Sequence, residues 1–172
     1  MLWCRVEDQV VGVSVINEVP AVEPPHSIAQ ARVDDKGRLK LPAEFLEYLK
    51  KLGVDKVFIT TVDLELARIY PISVWKSNEN FFANAGELAE QADDVAYIAK
   101  YFGGDSEIDA QGRVLMPAEL RRKLELESQP VWLDCHNGRI NVAGKSMHEA
   151  RFHRAMANLG EKVKTLEKKG LK

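Results

Sequence analysis

"VDDKGRLKLPAE" occupies residues 33–44, and "IDAQGRVLMPAE" occupies residues 108–119. The two stretches share Asp, Gly, Arg, Pro, Ala and Glu in the same order, at a constant offset of 75 positions. Six specified matches arise by chance on the order of 10⁻⁸ per register when each residue type is used at roughly 5%. The chain therefore contains an internal repeat, and the fold has to be interpreted as two related copies.

Each copy of the repeat predicts a tight β-hairpin. In the first copy, Leu39 and Leu41 alternate with basic residues after the turn sequence "DDKG". Gly37 is expected to supply the positive φ that such a turn needs, and Gly112 is expected to do the same in the second copy. The two hairpins should superpose over residues 33–49 and 108–124.

A short helix and a second pair of strands are expected after each hairpin. Pro42 and Pro117 suit the first position of a helix, and Gly53 is a helix stop signal. Residues 56–61 and 67–70 read as strands in the first copy. The second copy has the strand "PVWLDC" followed by Asn137-Gly138, the strongest short hairpin signal in the chain.

A longer helix is expected after each copy. The first should start near Ser73 and run irregularly to the glycines at 103 and 104, and the second should start at a capping box over residues 146–149. The later residues Met156, Leu159, Val163 and Leu166 form a stripe with helical spacing. Such a stripe belongs either to the core or to a surface used for oligomerisation.

The charge is unevenly distributed, although the net charge is only −2. Residues 79–109 carry −7, whereas residues 32–78 and 110–172 together carry +8. This polarity suggests an anionic partner for one face, but clustered surface charge without function is an equally good explanation of it.

An enzyme is the least supported class. The four histidines are scattered, no phosphate-binding glycine loop or nucleophile motif is present, and no metal or cofactor site is expected. Cys4 and Cys135 form no CxxC pair, which suits a reducing cytosol. With no signal peptide and no apolar stretch approaching ~18 residues, we expect a cytoplasmic protein without a membrane span or a small-molecule substrate.

The repeated Asp and Arg are the sharpest chemical signal. Asp34 and Arg38 flank the first turn, as Asp109 and Arg113 flank the second. The aspartates are interpreted as turn-stabilising acceptors. Each arginine serves either as the partner of its aspartate or, on a protruding hairpin, as a contact to phosphate or guanine.

With its doubled D-x-x-G-R, "YPISVW" and "DAQGRVLMPAELR", the chain resembles the MraZ family of bacterial transcriptional regulators over roughly residues 28–154. The resemblance implies an α+β, β-rich fold in which two tandem swapped-hairpin AbrB-like repeats form a pseudo-symmetric barrel with flanking helices. It also implies a ring-like homo-oligomer on promoter direct repeats of the division and cell wall gene cluster, acting as a repressor close to the nucleoid. The expected divisions are a flexible, dispensable tail (1–27), repeat 1 (28–76), an acidic helical connector (77–104), repeat 2 (105–148), and a C-terminal helix with a basic tail (149–172).

The candidate DNA contacts are five basic residues: Arg38, Arg113, Lys36, Lys40 and Arg32. The candidate motif residues are Asp34, Gly37, Asp109, Gly112, Pro42 and Pro117. Further along from the second turn, Arg121, Arg122 and Lys123 add basic charge to that repeat. The segment around the second turn is more acidic than that around the first, so its contact with DNA is expected to be weaker.

Two further classes compete with the regulator. An AbrB-type antitoxin would have one repeat and a disordered toxin-binding tail, and the tandem repeat argues against it. A scaffold or interaction protein of the same fold is compatible with the acidic connector.

Overall fold

The computed structural model describes residues 21–172, and this part of the chain contains eight strands and six α-helices. The strands are β1 (Ala29–Arg32), β2 (Arg38–Lys40), β3 (Lys56–Thr60), β4 (Ala67–Pro71), β5 (Gly104–Glu107), β6 (Arg113–Leu115), β7 (Pro130–His136) and β8 (Arg139–Ala143). The helices are α1 (Ala43–Lys51), α2 (Ile72–Ala83), α3 (Ala89–Phe102), α4 (Ala118–Lys123), α5 (Lys145–Met156) and α6 (Leu159–Glu167), with a short 3₁₀ helix at Gly86–Leu88.

The strands form two separate antiparallel units. Six of them make one sheet in the order β1-β7-β8-β4-β3-β5, and β2 pairs with β6 in a two-stranded ribbon. Each repeat contributes four strands, and the first strand of each pairs with the third strand of the other, as β1 with β7 and β5 with β3. The two repeats therefore share every sheet of the described chain, and neither has a sheet of its own.

The pairing follows a pseudo-two-fold axis. In the ribbon, Leu39 lies opposite Val114, and these residues are 75 positions apart, the offset of the repeat. The backbone bonds from Leu41 N to Gly112 O and from Met116 N to Gly37 O, both close to 3.0 Å, are images of each other under that offset. In the large sheet, Arg68 lies opposite Asn141 at the centre of the β4–β8 pair. The axis passes through both of these central pairs.

The main core lies between the large sheet, the ribbon and the two short helices. Leu39 and Val114 point into it from the ribbon, and Phe45 from α1 and Leu120 from α4 are fully buried at equivalent positions. Burying each such side chain contributes about 1.5–3 kcal/mol. The core therefore fixes the ribbon to the sheet with one face of the ribbon inward.

The local predictions for the first helix are largely right. Gly53 has φ of +70° and donates to Lys50 O, while Val54 N bonds Leu49 O, so the helix ends in the glycine motif that the sequence indicated. Pro42 and Pro117 have extended ψ of 149° and 137° and precede their helices, so their prediction as first helical residues is wrong by one position in both repeats. Asn137-Gly138 forms the predicted turn between β7 and β8.

The fold-class prediction is confirmed only as a mixture of helices and antiparallel strands. Helical residues outnumber strand residues in the described chain, so the fold is not β-rich there. The large sheet ends at β1 on one side and β5 on the other, so among residues 21–172 it does not close into a barrel.

The connector is a helical hairpin rather than one irregular helix. The 3₁₀ helix turns the chain between α2 and α3, and the hairpin packs on the outer face of the sheet. Trp75 is the anchor, with ring centroids 4.5 Å from Phe58 and 5.1 Å from Tyr70. On the second repeat's half of the same face, His148 stacks on Trp132 at 4.1 Å.

The C-terminal predictions fail in two respects. The helix α5 begins at Lys145 after Gly144, and no side chain caps its N-terminus, so the capping box at 146–149 is wrong. The chain then breaks at Asn158, whose φ is +54°, and continues as α6. The apolar stripe is therefore divided between two helices, and Met156, Leu159 and Leu166 are exposed, so the stripe is not core.

The Val-rich run expected in the N-terminal tail lies outside the described residues. Of the remaining tail, Val22 packs against the main core, and Ser27 Oγ donates to Glu44 Oε1 at 3.1 Å.

Candidate nucleic-acid interface

The first turn, residues 34–38, is held together by one carboxylate. Asp34 Oδ1 accepts the backbone N–H groups of Lys36 at 3.0 Å and Arg38 at 2.8 Å. Asp34 Oδ2 accepts Nε and Nη2 of Arg38, both at 2.8 Å. The backbone N–H and then the guanidinium of Arg38 lower the pKa of Asp34. These bonds fix the direction of the Arg38 guanidinium, and the Arg38 side chain remains 30% exposed to solvent.

The second turn, residues 109–113, repeats this arrangement. Asp109 Oδ1 accepts the N–H groups of Gln111 at 2.9 Å and Arg113 at 3.0 Å, and Oδ2 accepts Arg113 Nε at 2.7 Å. Its pKa is lowered, chiefly by the backbone N–H of Arg113. Gly37 and Gly112 have φ of +79° and +73°, as the sequence predicted for both turns.

The ribbon joins the two turns and presents cations on one face. Side chains alternate along a strand, so burial of Leu39 and Val114 turns their neighbours outward. The outward residues, which we call the ribbon face, are Arg38, Lys40, Arg113 and Leu115. Lys40 lies directly opposite Arg113, and like charges in this position destabilise a sheet. An anion placed over the ribbon face would relieve that repulsion.

Two of the candidate contacts lie off the ribbon face. Lys36 is exposed at the tip of the first turn. Arg32 ends β1 in the large sheet, where its Nη1 donates to Ser128 O at 3.2 Å. The structure therefore brings Arg38, Lys40 and Arg113 together, places Lys36 at the turn beside them, and assigns Arg32 a contact within the fold.

Arg121 lies at the first turn, although its position in the sequence predicted that it would lie near the second. It follows the second turn in the chain, but its guanidinium lies against Gly37 of the first turn, where a Cβ would collide with it. Its Nη1 donates to Met116 O, and its Nε pairs with Glu127 Oε1 at 3.1 Å. The equivalent residue in the first repeat, 75 positions earlier, is Leu46, which lies against Gly112.

Three further features of the described chain bear on its chemistry. No group of three His, Cys, Asp or Glu suited to a metal ion occurs within residues 21–172. Burial raises the pKa of the Cys135 thiol to about 11, so it is no nucleophile near neutral pH. No helix in the described chain has the length and apolar composition to cross a bilayer.

Sequence comparison finds relatives, and the three described below carry the same description. No family model matches the chain. The Transcriptional regulator MraZ of Acidobacterium capsulatum is 37% identical over 100 residues, which is 58% of this chain and 68% of that protein. The protein of the same description from Koribacter versatilis is 33% identical over 99 residues, covering 57% and 67%. The one from Desulforamulus reducens is 33% identical over 105 residues, covering 59% and 69%.

The chain belongs to the MraZ family. The predicted resemblance is thereby confirmed, and the chain is a transcriptional regulator by family.

Proposed function

We propose that this chain is a sequence-specific DNA-binding repressor that contacts promoter DNA through the ribbon face. The observation that supports this most directly is the cross-strand pair of Lys40 and Arg113, next to Arg38 on the same exposed surface. A two-stranded ribbon fits the major groove of B-DNA, where arginine forks can bind guanine and lysines can bind phosphate. The target that we propose, following the resemblance, is the direct repeats in the promoter of the division and cell wall gene cluster.

The proposal requires several copies of the chain. One ribbon face holds three cations, and two of these are already paired with Asp34 and Asp109. Binding that depends on phosphate contacts grows with the number of charges neutralised, so a single chain would bind weakly. We therefore include in the proposal a ring-like homo-oligomer with one ribbon per subunit, located in the cytoplasm at the nucleoid. The swapped-hairpin repeats with the boundaries given above belong to the same proposal.

The test compares ribbon variants with a matched lysine variant elsewhere. Arg38→Ala, Lys40→Ala and Arg113→Ala should each weaken promoter binding, while Lys76→Ala on α2, outside the ribbon, should not. If Arg38 binds a base, its loss costs roughly 1–3 kcal/mol and relaxes specificity at one position. If it binds only phosphate, all sequences weaken alike and the salt slope falls by about 1 per contact. Affinity is measured at two salt concentrations, with oligomer size checked in parallel.

Unchanged affinity in all three ribbon variants would reject the role of the ribbon. A scaffold protein of this fold is the second candidate, and the acidic connector with its exposed Tyr97 and Tyr101 favours it. For that candidate, neither promoter nor unrelated DNA would bind at moderate salt.

A further inference from the structure

The helix α3 carries an acidic and aromatic stripe on its solvent side. Glu90, Asp94, Tyr97 and Tyr101 are spaced by four, three and four residues, which places them on one face of a helix. The opposite face holds the buried Ala92 and Ala99, so this helix packs on the fold by its other side. Tyr97 is 68% exposed and Tyr101 is 60% exposed, whereas Trp75 of the helix α2 beside them is buried. We call these four residues the acidic stripe.

The helix α6 carries the complementary set. Leu159, Val163 and Leu166 share one face at spacings of four and three, with Lys162 beside them and Lys169 just beyond the end of the helix at Glu167. Leu159 and Leu166 are both more than half exposed, so the described chain leaves this face uncovered. Residues 159–172 hold five lysines against two glutamates. We call the three apolar residues with their two lysines the basic ridge.

The way α6 is attached presents the ridge outward. Asn158 is left-handed and turns α6 away from the line of α5. Lys162 Nζ donates to the carbonyl oxygens of Arg154 at 3.2 Å and Ala155 at 3.4 Å, which closes the C-terminal end of α5. Hydrogen bonds within the tail therefore set the angle between α5 and α6. The ridge is held in its outward position without contact from another chain.

We propose that the basic ridge of one copy docks on the acidic stripe of a second copy. The charges are opposite, and the apolar part of the ridge, Leu159 to Leu166, is about 11 Å long at ~1.5 Å per residue, so it fits within the stripe of about 16 Å along α3. The leucines and Val163 would cover the two tyrosine rings, while Lys169 would lie beside a carboxylate of the stripe or over a ring face. Exposed apolar side chains that lie next to one another, as these do, often mark a protein interface.

This contact joins two different surfaces, so it is head-to-tail. Each subunit then offers one free ridge and one free stripe, and such interfaces generate rings when the rotation closes. The inference rests on the oligomer that the proposed function includes, and it assigns the surfaces that build it. The ribbon face takes no part in the contact.

The first experiment uses two full-length variants with exposed substitutions. One changes the stripe (Tyr97→Ser with Tyr101→Ser), and the other changes the ridge (Leu159→Ser with Leu166→Ser). Sedimentation velocity without DNA should show that each alone falls from the wild-type assembly to a monomer at micromolar concentration. An equimolar mixture should give a 1:1 dimer, because one intact ridge meets one intact stripe and nothing remains to extend it. Circular dichroism checks that each variant is folded.

The second experiment exchanges the charges. Glu90→Lys with Asp94→Lys, or Lys169→Glu, should each weaken assembly about tenfold, and a chain carrying all three changes should recover it. Lys162 is left unchanged because its Nζ bonds the C-terminal end of α5. Glu65→Lys in the β3–β4 loop is the control and should assemble normally.

Wild-type size in both the tyrosine and the leucine variants would overturn the inference, as would a monomeric wild-type protein. Ridge variants that keep their size but lose DNA affinity would show the tail to be a DNA contact, which also overturns it. Arg38→Ala tests the proposed function separately, because it should lose DNA affinity with the assembly intact.

Discussion

The first and second turns have the same backbone and different neighbours. In both, an aspartate accepts two backbone N–H groups and the arginine that follows, and a glycine has a positive φ. Against Gly37 lies the guanidinium of Arg121, and against Gly112 lies the isobutyl group of Leu46. The first turn also carries Lys36, where the second has Gln111.

The difference shows which part of a duplicated motif is free to diverge. The hydrogen bonds of the turn are made by the motif itself, so each copy must keep them to keep its shape. The residue packed on each glycine comes from the other repeat, and that position is apolar at 46 and charged at 121 while the turn has the same form in both copies. The first turn therefore carries more positive charge than the second, although the framework of the two turns is symmetric.

The largest expected effect tests whether the two repeats contribute equally to stability. Phe45 and Leu120 are equivalent and fully buried. Truncation leaves a cavity, so Phe45→Ala should cost about 3–5 kcal/mol and Leu120→Ala about 2–5 kcal/mol of unfolding free energy. Denaturant unfolding should show one transition in each variant, since the repeats share one core. Two separate transitions would mean that the halves unfold independently.

The next effect separates the two turns. Arg121→Leu makes the neighbour of the first turn resemble that of the second, and it removes the donor to Met116 O. We expect a loss of about 1–3 kcal/mol in stability, the usual cost of leaving such an acceptor without its partner. Leu46→Arg is the reciprocal variant and removes no hydrogen bond, so its cost should be smaller. Equal losses would show that Arg121 acts only by filling space.

Substitution of the turn glycines gives a smaller and more symmetric loss. Gly37→Ala and Gly112→Ala both place a Cβ at positive φ, which costs about 1–2 kcal/mol. The new Cβ of Gly112→Ala meets the flexible tip of Leu46, whereas that of Gly37→Ala displaces a hydrogen-bonded guanidinium. Gly37→Ala should therefore have the lower melting temperature in thermal unfolding. The reverse ranking would contradict the close packing of Arg121.

The smallest effect is a pH dependence common to both turns. The pKa values of Asp34 and Asp109 are lowered in the folded chain, so their stabilisation is present above the unfolded pKa of about 3.9 and is lost as pH falls through the folded values. Asp34→Asn and Asp109→Asn should therefore be less stable than wild type at pH 6, with the difference shrinking below about pH 3. A stability difference that does not depend on pH would show that the negative charge of the aspartates does not stabilise the turns.

Sequence patterns predicted what depends on neighbouring residues. The two turns, the glycine end of α1 and the Asn137-Gly138 hairpin all rest on contacts within a few residues, and all are present. The pairing of Arg38 with Asp34 was likewise visible in the spacing of the motif.

The features that the sequence did not reveal depend on partners far along the chain. A strand pattern does not say which strand lies beside it, so the exchange of β1 and β5 between repeats was not visible without the resemblance. For the same reason Arg121 was placed near the turn that precedes it in sequence. The stripe at the C-terminus had helical spacing, but spacing alone does not show that Asn158 divides it or that nothing in the described chain covers it.

The exchange of strands also has a consequence during synthesis. Ala29 in β1 pairs with Leu133 in β7, so the first strand has no partner until the ribosome has added about a hundred more residues. At translation rates of about 5–20 residues per second, that delay is roughly 5–20 seconds. Throughout this time the nascent first half exposes strand edges and apolar side chains that would otherwise be covered. Slow codons placed before residue 130 would lengthen the time for which the first half is open to aggregation, and chaperone cover at the tunnel exit would protect it.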